Sequence, residues 1–387
     1  MRKRVASLIS WRIVASGLQA LTLIFLARGL GPGEFGIFAA SIAAAAFAAV
    51  GSGLGGTSMA LRAAGQQNPE REVANLLVLR LITLPVVAVV ASICCLILGA
   101  DVGATFVFAT FSYGVAEALG ELVEAVLLGM QTQKRANVSL VGRRGLTALL
   151  LGYGFLDLSA SPATLLLIAS GLSILWSLVV VRPLIRRPRD LRITIHQARE
   201  FWLATVVGKL ELLDTVVAAI VAVPLQAGLY AGSSRVTSPL NLVTGATLGV
   251  YTPQLAKAET RERRQATLRD ARRFLTIVAA FLLLMSPLVG IVVELVLGHQ
   301  YKGVAVPATL LTIAVAFGAF GQPFIAYFFS ISNARVVTRA RLAAVPLGLI
   351  AMGVLGYYLG AVGVAIGVCV LQSGQATLLW ISYKRHG

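Results

Sequence analysis

Charged side chains make up only 13% of this 387-residue chain, and the informative ones fall inside long apolar runs, where burial in lipid is costly. Arg12, Ser16 and Gln19 follow one another at spacings of four and three, which places them on one polar stripe of a helix. Ser234, Arg235, Ser238 and Asn241 form a comparable stripe in the second half. A guanidinium fork binds pairs of oxygen atoms, so Arg12 and Arg235, with their hydroxyl and amide neighbours, suit a diphosphate. The plainer alternative for both is snorkelling to headgroups or bonding to a nearby carbonyl. Glu117, Glu121 and Glu124 form an acidic stripe, and Arg143 and Arg144 lie in the following run. Glu124 and Arg143 match in depth, which points to a structural ion-pair cluster; Glu117, the deepest acid, is the candidate for a proton or cation site. Lys209, Glu211 and Asp214 do not share a helix face. Lys209 and Asp214 are candidates to line a cavity, Asp214 as a second coupling-ion candidate, with Glu211 pairing locally. Arg80 falls near a helix end, where snorkelling is expected.

These side chains need helices to carry them. The chain is 57% hydrophobic with a mean hydropathy of +0.84, whereas a soluble domain carries roughly 25% charged residues. Apolar runs near membrane-spanning length recur throughout, each able to cross a hydrocarbon core of about 30 Å. They predict helices at 5–27, 35–60, 75–98, 104–129, 138–159 and 163–185, then at 201–222, 227–252, 274–297, 305–330, 338–358 and 361–382. One motif occurs twice, as PGEFGIFA at Pro32–Ala39 and PLQAGLYA at Pro224–Ala231, an offset of 192. Proline suits the connection because it fixes φ and fits a helix start better than a helix interior. At the same offset Arg80 falls opposite Arg272, while Arg235 falls opposite Ala43, so the symmetry breaks at a candidate site residue. The expected fold is therefore an all-α integral membrane protein of about 12 transmembrane helices, as two six-helix lobes over 1–192 and 193–387. An even number per lobe makes the repeats parallel rather than inverted.

Loop charge agrees with this map. Of the 33 Lys and Arg, 25 fall in the termini and alternate connections on one side, among them Arg189 and Arg264, and only Arg28 and Lys302 on the other. The positive-inside rule then places both termini in the cytoplasm of a cell (inner or plasma) membrane, with Asp101 and Lys302 outside. The net charge of +17 reads as orientation and contact with anionic membrane lipids rather than nucleic-acid binding.

Catalysis finds no support. Cys94, Cys95 and Cys369 lie in apolar runs without metal spacing, and His196, His299 and His386 make no cluster. GSGLGG at Gly51–Gly56 follows no strand and is no nucleotide loop. The basic N-terminus leads into a run too long for a signal peptide and without a small-residue cleavage site. No cofactor, metal or enzymatic role is expected. Pro85, Pro239, Pro287 and Pro323 lie inside spans, where they mark either bends for a moving transporter or static kinks.

Three stretches carry a family resemblance. SWRIVASGLQALTLIFLARGLGPGEFGIFAASIAA at Ser10–Ala44 resembles the opening of Wzx-type polysaccharide (O-antigen) flippases, in the superfamily of multidrug, oligosaccharidyl-lipid and polysaccharide exporters. DTVVAAIVAVPLQAGLYAGSSRVTSPL at Asp214–Leu240 resembles the start of the second lobe, and LGHQYKGVAVPATLLTIAVAF at Leu297–Phe317 the segment before helix ten. The resemblance implies two six-helix lobes around a central cavity that opens alternately to each side. It implies transport of polyprenyl-diphosphate-linked oligosaccharide to the outer leaflet for cell-surface polysaccharide synthesis, alongside other polysaccharide-assembly membrane proteins. Arg12 and Arg235 match positions where relatives often place cationic cavity residues. The expected substrate-binding set is Arg12, Gln19, Lys209, Arg235 and Asn241. The chain departs from the lipid II flippases in having no helices after the twelfth. A multidrug or metabolite cation antiporter of the same superfamily is the alternative, kept open by Glu117 and Asp214. A membrane-embedded glycan polymerase or ligase would need a large outer loop, for which there is no room.

Overall fold

The computed structural model describes residues 2–62, 69–99, 102–130, 132–156, 161–184, 191–241, 251–252, 254–258, 260–331 and 333–386. Asp101 and Arg189, expected on opposite sides of the membrane, lie outside them. Among the described residues every regular element is helical: the protein is an all-α integral membrane protein of about 12 spans. The chain divides into two compact units, Met1–Val216 and Val217–Gly387.

In the first unit, α1 (Arg2–Ser52) carries two of the expected spans. They meet at Gly31, whose φ of 74° and ψ of 170° break the helical path; that region is accessible essentially to glycine alone. Pro32 opens the next segment. A turn at Gly53–Gly55 leads to α2 (Gly56–Arg62), followed by α3 (Pro69–Leu98), α4 (Ala104–Gly129), α5 (Gln133–Leu156) and α6 (Pro162–Val181). Helix α4 is the hub, packing against α1, α2, α3, α5 and α6. Its Leu119, Leu122, Val123 and Val126 are buried with Leu76 and Leu77 of α3. Ala45, Ala49, Ala91 and Ala118 form a second core of small side chains, which lets α1, α3 and α4 approach closely, as helices in lipid do. The opposite face of α3 exposes Ile82, Val86, Val89, Ile93 and Ile97. Apolar surface of that extent on a helix with a packed opposite face suits hydrocarbon, not water.

Helix α7 (Leu191–Lys209) was expected to begin the second half. Instead it packs on α1, α2 and α3. Asn75 donates to Thr194 Oγ1 at 2.8 Å, and the Trp202 indole donates to the Gly51 carbonyl at 2.8 Å. These bonds hold it in the first unit, so the break between units falls after Val216 rather than after 192. The expected helix 201–222 is divided by a 3₁₀ turn at Leu210–Leu212 before α8 (Leu213–Val221), which separates Lys209 from Asp214.

In the second unit, α9 (Pro224–Thr237) again starts with proline, after an extended Val223. Its Tyr230 is fully buried, as Phe38 is at the matching position of the first copy. Helix α10 (Arg261–Leu297) extends three turns earlier than expected, capped by Thr260, whose hydroxyl accepts from the Arg263 N–H at 3.3 Å. Its residues Leu268, Ala271, Leu275, Ala279 and Leu282 face inward, while Ile277, Phe281, Leu284, Leu288 and Ile291 face out. Helices α11 (Ala305–Ser330) and α12 (Ala334–His386) complete the unit. Helix α12 carries the last two spans, joined at Gly360 with φ 59°. Gln226, the counterpart of Glu34 in the repeated motif, caps this break: its Oε1 accepts from the Ala361 N–H at 3.2 Å. Ala361 is 1% exposed, so water does not replace this partner and an unpaired donor there is costly. Gln226→Leu should therefore lower stability in detergent by about 1–3 kcal/mol, while Gln226→Glu, which keeps an acceptor, should cost less. Equal melting temperatures for the two variants would show that the cap carries no load.

Candidate functional site

The acidic stripe expected on α4 is present, and the structure assigns its partners differently from the depth-matched pairing. Arg143 of α5 pairs with Glu117, not Glu124, with Nη1 2.7 Å from Oε1. The same Nη1 also donates to the Ala116 carbonyl at 3.1 Å. Gly120 makes room for it: a methyl group there would lie 2.6 Å from the Arg143 Nε. The Arg143 side chain is only 5% exposed. Glu117, the candidate deep proton or cation site, is thus the counter-charge of a buried arginine. Glu124 pairs instead with Arg12 across α4 and α1, Nη2 to Oε1 at 2.9 Å, and this arginine is half exposed.

Arg80 also departs from expectation. It is 5% exposed and turns inward, donating to the Ala49 carbonyl at 2.6 Å beside the bare backbone of Gly53. The charge of Glu121 acts on it. The Ala49 carbonyl also accepts from the Gly53 N–H at 3.0 Å, so Arg80 is anchored on the end of α1 rather than snorkelling.

These groups converge on a cleft of about 230 Å³ within the first unit, lined by Arg12, Arg80, Glu121, Glu124 and Lys209, with the hydroxyls of Thr57 and Thr205. It has room for several waters or a phosphoryl-sized group. Three cations face two carboxylates. The structure therefore brings together Arg12 and Lys209 from the expected set and adds Arg80, Glu121, Glu124 and Thr205. Sequence reasoning did not place Thr205 here because it assigned the start of α7 to the other half. Gln19 lies on the Arg12 stripe of α1, half-buried, and does not line this cleft. Asp214 Oδ1 accepts from the Thr215 hydroxyl at 2.9 Å. In the second unit Arg235 is half-buried on α9 and Asn241 is exposed just beyond the turn that ends it. Among the described residues no group of three or more His, Cys, Asp or Glu gathers to hold a metal ion.

With this geometry in view, comparison with known proteins separates fold from sequence. No protein-family model matches the sequence, and no curated protein matches it either. The structure is similar over 96% of its length to an inward-facing multidrug resistance MATE family transporter of the MOP superfamily, covering 94% of that chain, with a TM-score of 0.71 at 16% identity. It is similar over 97% of its length to the lipid II flippase MurJ in an inward closed conformation, covering 87% of that chain, at 0.70 and 14%. It also matches a MOP superfamily transporter from Pyrococcus furiosus, over 99% of this chain and 95% of that one, at 0.66 and 17%. The fold is that of MOP superfamily transporters.

The two ion pairs differ in what their loss exposes. Glu117→Gln leaves a buried guanidinium without its counter-charge, a loss of roughly 3–5 kcal/mol. Glu124→Gln frees a half-exposed arginine and should cost no more than about 1 kcal/mol. Thermal unfolding of purified protein should therefore show a large drop for Glu117→Gln, partly restored by Arg143→Gln, and a small one for Glu124→Gln. The reverse order would contradict the pairing.

Proposed function

We propose that the protein is a flippase that moves polyprenyl-diphosphate-linked oligosaccharide across the cytoplasmic membrane by alternating access, for cell-surface polysaccharide synthesis, with both termini in the cytoplasm. The observation that carries this reading is the charge of the cleft in the first unit, where Arg12, Arg80 and Lys209 outnumber Glu121 and Glu124. An organic cation would call for the opposite balance. The fold supports a transporter in general, since it is shared with a multidrug exporter and with a flippase of lipid II. Binding-pocket polarity is also the feature from which a different function was suggested for the Pyrococcus furiosus transporter. Loop charge supports the orientation.

The residues divide the work by their settings. Arg80 is committed to a backbone carbonyl and supplies fixed positive potential. Arg12 is half exposed and held by one carboxylate, so a diphosphate can replace Glu124 as its partner. Lys209 contributes a point charge from the end of α7. Gln19, Arg235 and Asn241 are proposed as further substrate contacts, and Glu117 and Asp214 as coupling-ion sites. Release on the far side requires moderate binding, which one replaceable ion pair provides better than a dense cage.

Complementation of a flippase-deficient strain tests this. Arg12→Ala and Arg235→Ala should each lower glycan export at least about ten-fold, the loss of roughly 1.4 kcal/mol of interaction, at unchanged protein level. Arg12→Lys should recover only part, because a point charge replaces the fork. Full export by both alanine variants would remove the diphosphate reading and favour a cation antiporter.

A further inference from the structure

The second unit contains a groove of about 440 Å³ between α10, α11 and the end of α12, built from three stripes. Helix α10 presents Arg272 and, one turn on, Thr276. Helix α11 presents Phe317, Phe320 and Phe324 at spacings of three and four. Helix α12 presents Ser373, Thr377 and Trp380, again one turn apart. The Arg272 guanidinium lies over the Phe324 ring, 5.7 Å from its centre, and Lys384 Nζ lies 4.0 Å from the centre of Trp380. Stacking fixes the plane of a guanidinium while leaving its edge donors available. Among the described residues no carboxylate lines this groove and Arg272 forms no ion pair, in contrast to the first unit's cleft, which Glu121 and Glu124 line.

Depth identifies the setting. Leu297 ends α10 twenty-five residues after Arg272, a rise of about 38 Å, more than the ~30 Å hydrocarbon core. Trp380 lies nineteen residues after Ala361, where the last span starts, a rise of about 29 Å. Arg272, Trp380 and Lys384 thus share the headgroup level at the basic end of this unit. Phe320 and Trp380 are about two-fifths exposed, a wet-apolar boundary typical of interfacial aromatics.

We propose that this groove binds an anionic phospholipid, its phosphate on Arg272 and Lys384, its glycerol and ester oxygens beside the Thr276 and Thr377 hydroxyls, and the upper part of an acyl chain along Phe317 and Phe320. A zwitterionic lipid brings its own ammonium group beside the two cations, and an inorganic anion has no use for the aromatic wall. The site is separate from the first unit's cleft and does not depend on the transported substrate.

Trp380 is itself the reporter. In a Trp11→Phe, Trp176→Phe, Trp202→Phe background it is the sole tryptophan of the four. Reconstituted into bilayers, it should be quenched more strongly by brominated phosphatidylglycerol than by brominated phosphatidylcholine at equal mole fraction, a preference of about five-fold for each cation. Arg272→Gln with Lys384→Gln should bring the preference close to one, while Lys302→Gln with Arg339→Gln, outside the groove, should leave it intact. Because Trp202 makes a structural hydrogen bond, the same lipid pair is also compared on the wild-type chain, by native mass spectrometry of retained lipid, with the same two double substitutions. Equal quenching and equal retention of the two lipids, or the same loss with the control pair, would overturn the proposal, as would displacement by millimolar inorganic phosphate.

Discussion

An arginine at membrane depth has to be held by protein, because lipid offers it neither water nor counter-charge. Three in the first unit are each held differently. Arg143 is buried against Glu117 and the Ala116 carbonyl, with Gly120 cleared to admit it. Arg80 is buried on the carbonyl of Ala49, beside the turn at Gly53. Arg12 is half exposed and tied to Glu124. The first two anchorages position α4, α5 and the end of α1; the third leaves a cation within reach of a ligand. The cleft follows from how these charges are accommodated.

The same constraint explains where the elements break. A buried backbone donor or acceptor must be satisfied locally, so the chain turns between spans where glycine accepts the geometry and a side chain or second helix takes up exposed groups. Gly31 and Gly360 supply the geometry; Gln226 accepts from the Ala361 N–H.

Much of this was legible in the sequence. Among the described residues, and apart from the break inside 201–222, the apolar runs correspond to helices, as do the repeated PGEFGIFA and PLQAGLYA stretches and the acidic stripe at Glu117, Glu121 and Glu124. Pairing was not legible, because depth alone matched Glu124 with Arg143 while the lateral arrangement gives Glu117 to Arg143 and Glu124 to Arg12. Arg80 was misplaced because its partner is a backbone carbonyl, which leaves no mark in a sequence of side chains. The allegiance of α7 was hidden for a similar reason: Asn75–Thr194 and Trp202–Gly51 are long-range bonds between residues that read as ordinary.

The fold is shared with a multidrug resistance MATE family transporter and with the lipid II flippase MurJ; in the proposed function, charge and shape at the cleft select the cargo. The most direct measurement is translocation by the purified protein in liposomes. Both a polyprenyl-diphosphate-linked oligosaccharide, followed by its exposure to a membrane-impermeant glycosidase, and a fluorescent organic cation would be supplied. The present account predicts that the protein accelerates exposure of the glycan and leaves the cation's distribution unchanged. Accumulation of the cation with no gain in glycan exposure would contradict it.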